Sequence, residues 1–264
     1  MDSDLIMSAT AGAALREDVL SADYWRAFAP AAEPADTLAR ISTAVEKPHL
    51  SVKSETSSGI ALRARFDGRL GVAGVIVQGE VQIAFPIVKE GRVLDLEIVE
   101  VVSGWNDREG WIVAEYEGVR FGFYNALHSV GLGKYQEGEK HRFVINAFAL
   151  SLRKVKPILC PTDPDGDLLP FSLKNLRAYL PRKSGYDRGI LQSPIDGAPD
   201  NLVYDNREFS CLPVSLGDED GIRATVDLFV SPELAESLGS PLCQDDEVAG
   251  IIWLQGYPAD TVEL

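Results

Sequence analysis

The sequence predicts a mainly β protein of the α+β kind: an N-terminal helical segment, then two small antiparallel β-barrel or sandwich units, OB-like in outline. Three observations predict it. Apolar side chains recur at helical spacing in the first 50 residues. From about residue 60 they alternate with polar ones, in short runs closed by Gly-containing turns. A Pro-, Gly- and Asp-rich stretch of different charge then separates two sets of such runs. The expected organisation is a helical segment over 1–50, a first β unit over 51–155, a connector over 156–188 and a second, acidic β unit over 189–264.

In the helical segment, residues 11–20 are Ala-rich. Ser21 is placed to cap a short turn that carries Tyr24, Trp25 and Phe28. These aromatics are expected to dock the segment on the β units. Pro30 and Pro34 break the run, and Asp36 is placed to cap a second helix with Leu38, Ile41 and Val45 on one face.

The first β unit opens with Ile60, Leu62, Ala64 and Phe66 alternating with Arg63 and Arg65, closed by Asp67-Gly68. Val75, Ile76 and Val77, then Gly79, then Val81, Ile83 and Phe85 read as a hairpin. Leu94, Leu96 and Ile98 continue the strands. Residues 111–116 and 119–124 flank Glu117-Gly118 and are aromatic and β-branched, a strong hairpin signal. Residues 143–152 form an apolar run of the kind buried on both faces.

The connector holds the loop 160–167 and a short predicted helix over 173–180. In the second unit, strands are expected at 202–204, 209–214, 222–230 and 248–254, with a hairpin loop at 217–221. Ser231, Pro232 and Gly239 sit where a short helix needs its cap, its first residue and its stop. An ungapped offset of 106 lays residues 119–151 over 225–257, matching Phe123 to Phe229, Leu132 to Leu238, Gly133 to Gly239 and Ile145 to Ile251. The order of elements repeats better than the letters do.

Composition sets further bounds. Hydrophobic residues make up 45% of 264, enough for a core, which excludes global disorder. The net charge is −15, and residues 189–264 alone hold 15 acids against two bases, Arg207 and Arg223. Such a surface repels phosphate backbones and suits a basic protein partner. Cys160, Cys211 and Cys243 are odd in number and lack metal-site spacing, so no disulfide framework, metal or cofactor is expected. No secretory leader or membrane segment is read in the sequence. The expectation is a cytoplasmic protein that engages neither membrane nor nucleic acid as its main partner.

The chemistry-bearing patterns are sparse. Asp163, Asp165 and Asp167 surround Gly166, but the frame lacks the first and twelfth acids of a calcium loop. His49, His128 and His141 form no metal pair, and no GxSxG turn supports a triad from His128 and Ser129. Gly131-Leu-Gly133-Lys134 fits neither phosphate-binding glycine frame.

Two features point to binding. The first is partner recognition by the aromatic hairpin and the acidic loops: Trp105, Trp111, Tyr116, Asp218, Glu219, Asp220, Asp245, Asp246 and Glu247. The second is the cationic connector, in which Lys174, Arg177, Arg182 and Lys183 are interleaved with Tyr179 and Tyr186, a pattern suited to single strands. The leading expectation is a non-enzymatic, immunity- or inhibitor-like module binding a basic protein surface. An OB-like binder of single-stranded nucleic acid or oligosaccharide is the alternative. A hydrolase with a carboxylate-based site comes third.

Overall fold

The computed structural model describes residues 14–15, 24–28, 34–54, 59–104, 108–131, 135–155, 158–161, 168–171, 175–182, 185–219 and 221–260. The chain is mainly β with helices near its N-terminus, as its alternation predicts. Within the Ala-rich run, however, Ala14–Leu15 is a short strand, β1, and not helix. Helix α1 (Tyr24–Phe28) and helix α2 (Pro34–Glu46) follow. Asp36 lies inside the first turn of α2, where its charge meets the positive end of the helix.

Strands β2 (Leu50–Lys53), β3 (Ile60–Asp67), β4 (Leu70–Val77) and β5 (Glu80–Val88) come next. With β1 they form a five-stranded sheet in the order β1-β5-β4-β3-β2. Strands β6 (Arg92–Ser103), β7 (Gly110–Tyr116), β8 (Val119–Asn125) and β9 (Lys140–Lys154) lead to a small hairpin of β10 (Ile158–Pro161) and β11 (Leu168–Phe171). The helix predicted over 173–180 is absent from its described part: β12 (Ala178–Pro181) is extended and pairs with β13 (Arg188–Pro194). Then come β14 (Asp200–Tyr204), β15 (Arg207–Glu219), β16 (Ile222–Val230), helix α3 (Pro232–Ser237) and β17 (Glu247–Pro258). Ser231 Oγ accepts the Leu234 N–H, and Gly239 follows α3 with φ of 72°, so the cap and stop read from sequence both form. The β15–β16 ladder runs to Asp218 and Glu219, so the predicted loop over 217–221 is shorter than expected.

The strands do not divide at the predicted connector. Strand β9, from the first expected unit, pairs antiparallel with β17 and parallel with β16, both from the second. Pairing leads from β17 through β8, β7 and β6 back to β9, and on the other side through β13, β12, β15 and β16 back to β9. The β17–β8 link has two paired positions and the β12–β15 link one, so neither circuit is a continuously laddered barrel.

The element order of the suspected repeat is present, since β8, a 3-10 turn at His128–Val130 and β9 are answered by β16, α3 and β17. The offset of 106 does not survive residue by residue. Phe123 faces one core while Phe229 faces the other. Alternation has a period of two, so an even shift pairs opposite faces here, and the matching offset must be odd.

Two cores result. The inner one lies among the strands of the ten-stranded sheet and holds Leu96, Ile112, Phe121, Phe143, Leu228 and Leu254. The outer one lies between that sheet, the five-stranded sheet and the helices. There Tyr24 stacks on Trp253 at 4.4 Å, and Phe28 packs on Tyr204 and Phe209 at 4.9 and 5.2 Å. The N-terminal aromatics thus dock as predicted. Strand β9 sends Phe148 to the outer core and Ile145 and Ala147 to the inner one, which is why its sequence is apolar without alternation.

Candidate functional site

The hairpin register decides which side chains of β6, β7 and β8 share a face. Val102, Trp111 and Tyr124 are aligned, as are Glu100, Val113 and Gly122, and Glu97, Glu115 and Arg120. Directly opposed residues point the same way, so all nine lie on one face. The alternate residues Ile112, Ala114, Phe121 and Phe123 fill the inner core.

Tyr186, just before β13, lies against this face. A Cβ on Gly122 would stand 2.1 Å from the Tyr186 carbonyl oxygen, so the absence of a side chain at 122 lets Tyr186 seat on β8. Between Tyr186 and the sheet is an open cavity of ≈ 920 Å³, lined by Glu100, Trp111, Val113, Arg120, Gly122, Pro181, Arg182 and Tyr186 among others. The Trp111 and Tyr186 rings are 6.3 Å apart and inclined by 35°. Tyr186 is 44% exposed. Arg120 and Arg182 are exposed and carry no side-chain hydrogen bond or ion pair among the described residues.

Directly after Tyr186 comes Asp187, only 3% exposed. Its carboxylate accepts the Trp253 indole N–H at 2.9 Å, and its carbonyl accepts the Leu254 N–H at 2.7 Å. The Tyr24 hydroxyl also engages the carboxylate. The Trp111 indole N–H is near enough to help hold its proton affinity down, but forms no hydrogen bond of normal geometry. Burial outweighs these donors, and the Asp187 carboxyl is raised above the usual carboxylate range. Half-buried Glu109, beside β7, is raised by burial and then by the Asp187 charge. Arg188 lies over the Tyr24 ring at 5.6 Å. Asp187 therefore ties the cavity wall to α1 and β17. It is sealed from the cavity, and its role there is to hold the wall.

The structure brings together two features that the sequence presents separately. Trp111 of the aromatic hairpin and Arg182 of the cationic connector line one cavity. Tyr116 does not join them: it falls on the opposite face and packs against the inner core. Arg177 is held by Asp196 at 2.6 Å. Asp246 accepts from Lys154 Nζ at 2.7 Å and from the Cys243 N–H, and these bonds hold its carboxyl low against the opposing effect of burial. Glu247 accepts the Asn175 N–H. Asp245 is exposed. Asp218 and Glu219 are placed only by their backbone pairing in the β15–β16 ladder. Trp105, Lys174, Lys183 and Asp220 lie outside the described residues.

Arg120, Glu100, Gly122 and Asp187 escaped the sequence reading. The hairpin register alone would have placed Arg120 beside Trp111's face; nothing in the sequence marks Asp187 as buried.

Elsewhere, a second cavity of ≈ 840 Å³ between α2 and the β3–β4 turn is bridged by the Arg40–Asp205 ion pair at 2.8 Å. Ser129 Oγ has no hydrogen-bond partner, so it is not coupled to His128. Among the described residues, no group of three His, Cys, Asp or Glu is placed to hold a metal ion, and no helix is long and apolar enough to cross a membrane. Searches of protein-family models, curated proteins and solved structures find no match to this chain.

Proposed function

We propose that this chain is a non-enzymatic oligosaccharide-binding protein whose ligand lies in the cavity between β7, β8 and the segment ending at Tyr186. The observation that carries the reading is one cavity lined by aromatic rings, one acid and two arginines. Trp111 and Tyr186 line the cavity with their rings 6.3 Å apart and inclined by 35°, and Glu100, Arg120 and Arg182 line it with them. Sugar rings offer C–H faces to such platforms, and their hydroxyls need both acceptors and donors. The cavity volume falls in the range of small-ligand sites.

The strand order supports the same reading. Strands β6, β7, β8, β9 and β17 follow an OB-like order, with β17 in the place of the fifth strand. OB-like units take oligonucleotides and oligosaccharides on their second and third strands, here β7 and β8. Fold resemblance does not supply function by itself, so the lining chemistry decides. Glu97, Glu100 and Glu115 share the face with Arg120, and a face so mixed in charge does not track a phosphate backbone.

The basic-partner reading is weaker on this geometry. Asp196, Asp227, Glu233 and Asp246, all in the acidic C-terminal part, pair with cations of the same chain. A hydrolytic role is weaker too, because Asp187 is sealed from the cavity.

The test is a titration of the full chain with neutral and charged oligosaccharides, read by tryptophan fluorescence and calorimetry. Saturable binding is expected, weakened about three- to tenfold by Tyr186→Ala, the scale of one aromatic contact. Tyr186 is exposed, so the variant keeps its fold. No binding, or binding indifferent to Tyr186 and to Trp111→Phe, overturns the proposal.

A further inference from the structure

The chain carries 40 acids against 25 bases, so carboxylates outnumber the cations they can pair with. Several described arginines have taken one. Arg40 holds Asp205, Arg69 and Arg92 share Asp227, Arg177 and Arg223 share Asp196, and Arg207 grips Glu233 through both oxygens. Arg120 and Arg182, like Arg153, have no carboxylate among the described residues, and of these three Arg120 and Arg182 line the cavity. Arg120 is even directly opposite Glu115 in the β7–β8 ladder, yet no ion pair joins them. Two guanidinium groups without carboxylates, beside an aromatic pair, form a complementary site for a planar anion.

We infer that the ligand of this cavity is an acidic oligosaccharide, with a uronate carboxylate bound by Arg120 and Arg182 while its sugar ring rests on Trp111 and Tyr186. The inference rests on the oligosaccharide reading and deepens it by naming the ligand's charge. The guanidinium fork matches a carboxylate in two parallel N–H···O bonds, and Glu100 is left to accept from sugar hydroxyls. A long polyanion is a poorer occupant. The same face carries Glu97, Glu100 and Glu115, and the whole chain is at −15. The site itself engages one or two carboxylates of a short, hydroxylated ligand.

The experiment titrates the full chain with tetramers of galacturonate, mannuronate and guluronate, with the methyl esters of the same tetramers, and with a short oligothymidylate. At least one free acid is expected to bind about tenfold or more tightly than its ester, the scale of a charge-assisted pair. Arg120→Gln and Arg182→Gln should each lower the affinity for the acid about tenfold and leave that for the ester unchanged. Both side chains are exposed, and an unchanged melting temperature verifies the fold of each variant. Equal binding of acid and ester, insensitive to both arginines, overturns the inference while the oligosaccharide reading stands. Arginine-dependent binding of the oligothymidylate above every uronate overturns it in favour of phosphate. Binding of no sugar in either form overturns the reading and the inference together.

Discussion

Replacing Gly122 by Ala isolates the seating of the cavity wall on β8. The added Cβ would stand 2.1 Å from the Tyr186 carbonyl oxygen and 3.0 Å from its carbon. The obstacle is backbone, which cannot turn aside as a side chain does. The segment must recede by about 0.9 Å to bring the oxygen even to 3.0 Å. Overpacking of this kind costs about 1–3 kcal/mol. The unfolded chain loses freedom when Gly becomes Ala, which returns about 0.4–1 kcal/mol. At the middle of both ranges the net destabilisation is about 1.3 kcal/mol, a fall in melting temperature of roughly 3–5 °C for a chain of this size. The shift should also alter the environment of Trp111, whose ring is 6.3 Å from that of Tyr186. Thermal unfolding and tryptophan emission read the two effects. An unchanged or raised melting temperature with unchanged emission would refute the seating, and with it the cavity as drawn.

Asp187→Asn tests the buried carboxyl. Its folded-state pKa is raised by burial, so the folded chain holds the proton more tightly than the unfolded one, whose Asp titrates near about 3.9. The associated stability is complete below that value and is lost as pH rises through the folded pKa. Glu109 shifts the same way. The stability difference, wild type minus variant, should therefore decline as pH rises from about 4; parallel pH curves would contradict this. Phe28→Ala removes a fully buried ring from between Phe148, Tyr204 and Phe209. A loss of about 3–5 kcal/mol is expected in denaturant unfolding, and a loss below about 1 kcal/mol would show that α1 is not part of the cooperative unit. Burial pushes the Cys211 thiol up to about 12, while Cys243 is exposed. Iodoacetamide at pH 8 should label Cys243 in the native chain and spare Cys211 until it unfolds, as peptide mass mapping would show; early labelling of Cys211 would place it outside the outer core.

The local elements were legible where one strong signal dominated. The β7–β8 hairpin follows from its alternation around Glu117-Gly118, and α3 from Ser231, Pro232 and Gly239. Residues 173–180 misled because Leu173, Leu176 and Leu180 are spaced as on a helix, yet Ala178–Pro181 is drawn out by pairing with β13 and β15. The union of β9 with β16 and β17 joins residues about a hundred positions apart, and no local pattern encodes that choice. The site divided in the same way. Trp111 and Arg182 were each visible as binding residues, but their meeting depends on Gly122 admitting the Tyr186 backbone, which is a steric fact of the folded chain. The acidic loops looked like a free surface because sequence does not show that Lys154 reaches Asp246 or that Asn175 reaches Glu247.

The most direct measurement is a crystal structure of the full chain grown with a uronate tetramer. A sugar ring lying against Trp111 and Tyr186, with a carboxylate held by Arg120 and Arg182, is the result expected. A sugar seated elsewhere, or a cavity left empty at saturating ligand while binding persists in solution, would contradict the placement of function between β7, β8 and the Tyr186 segment.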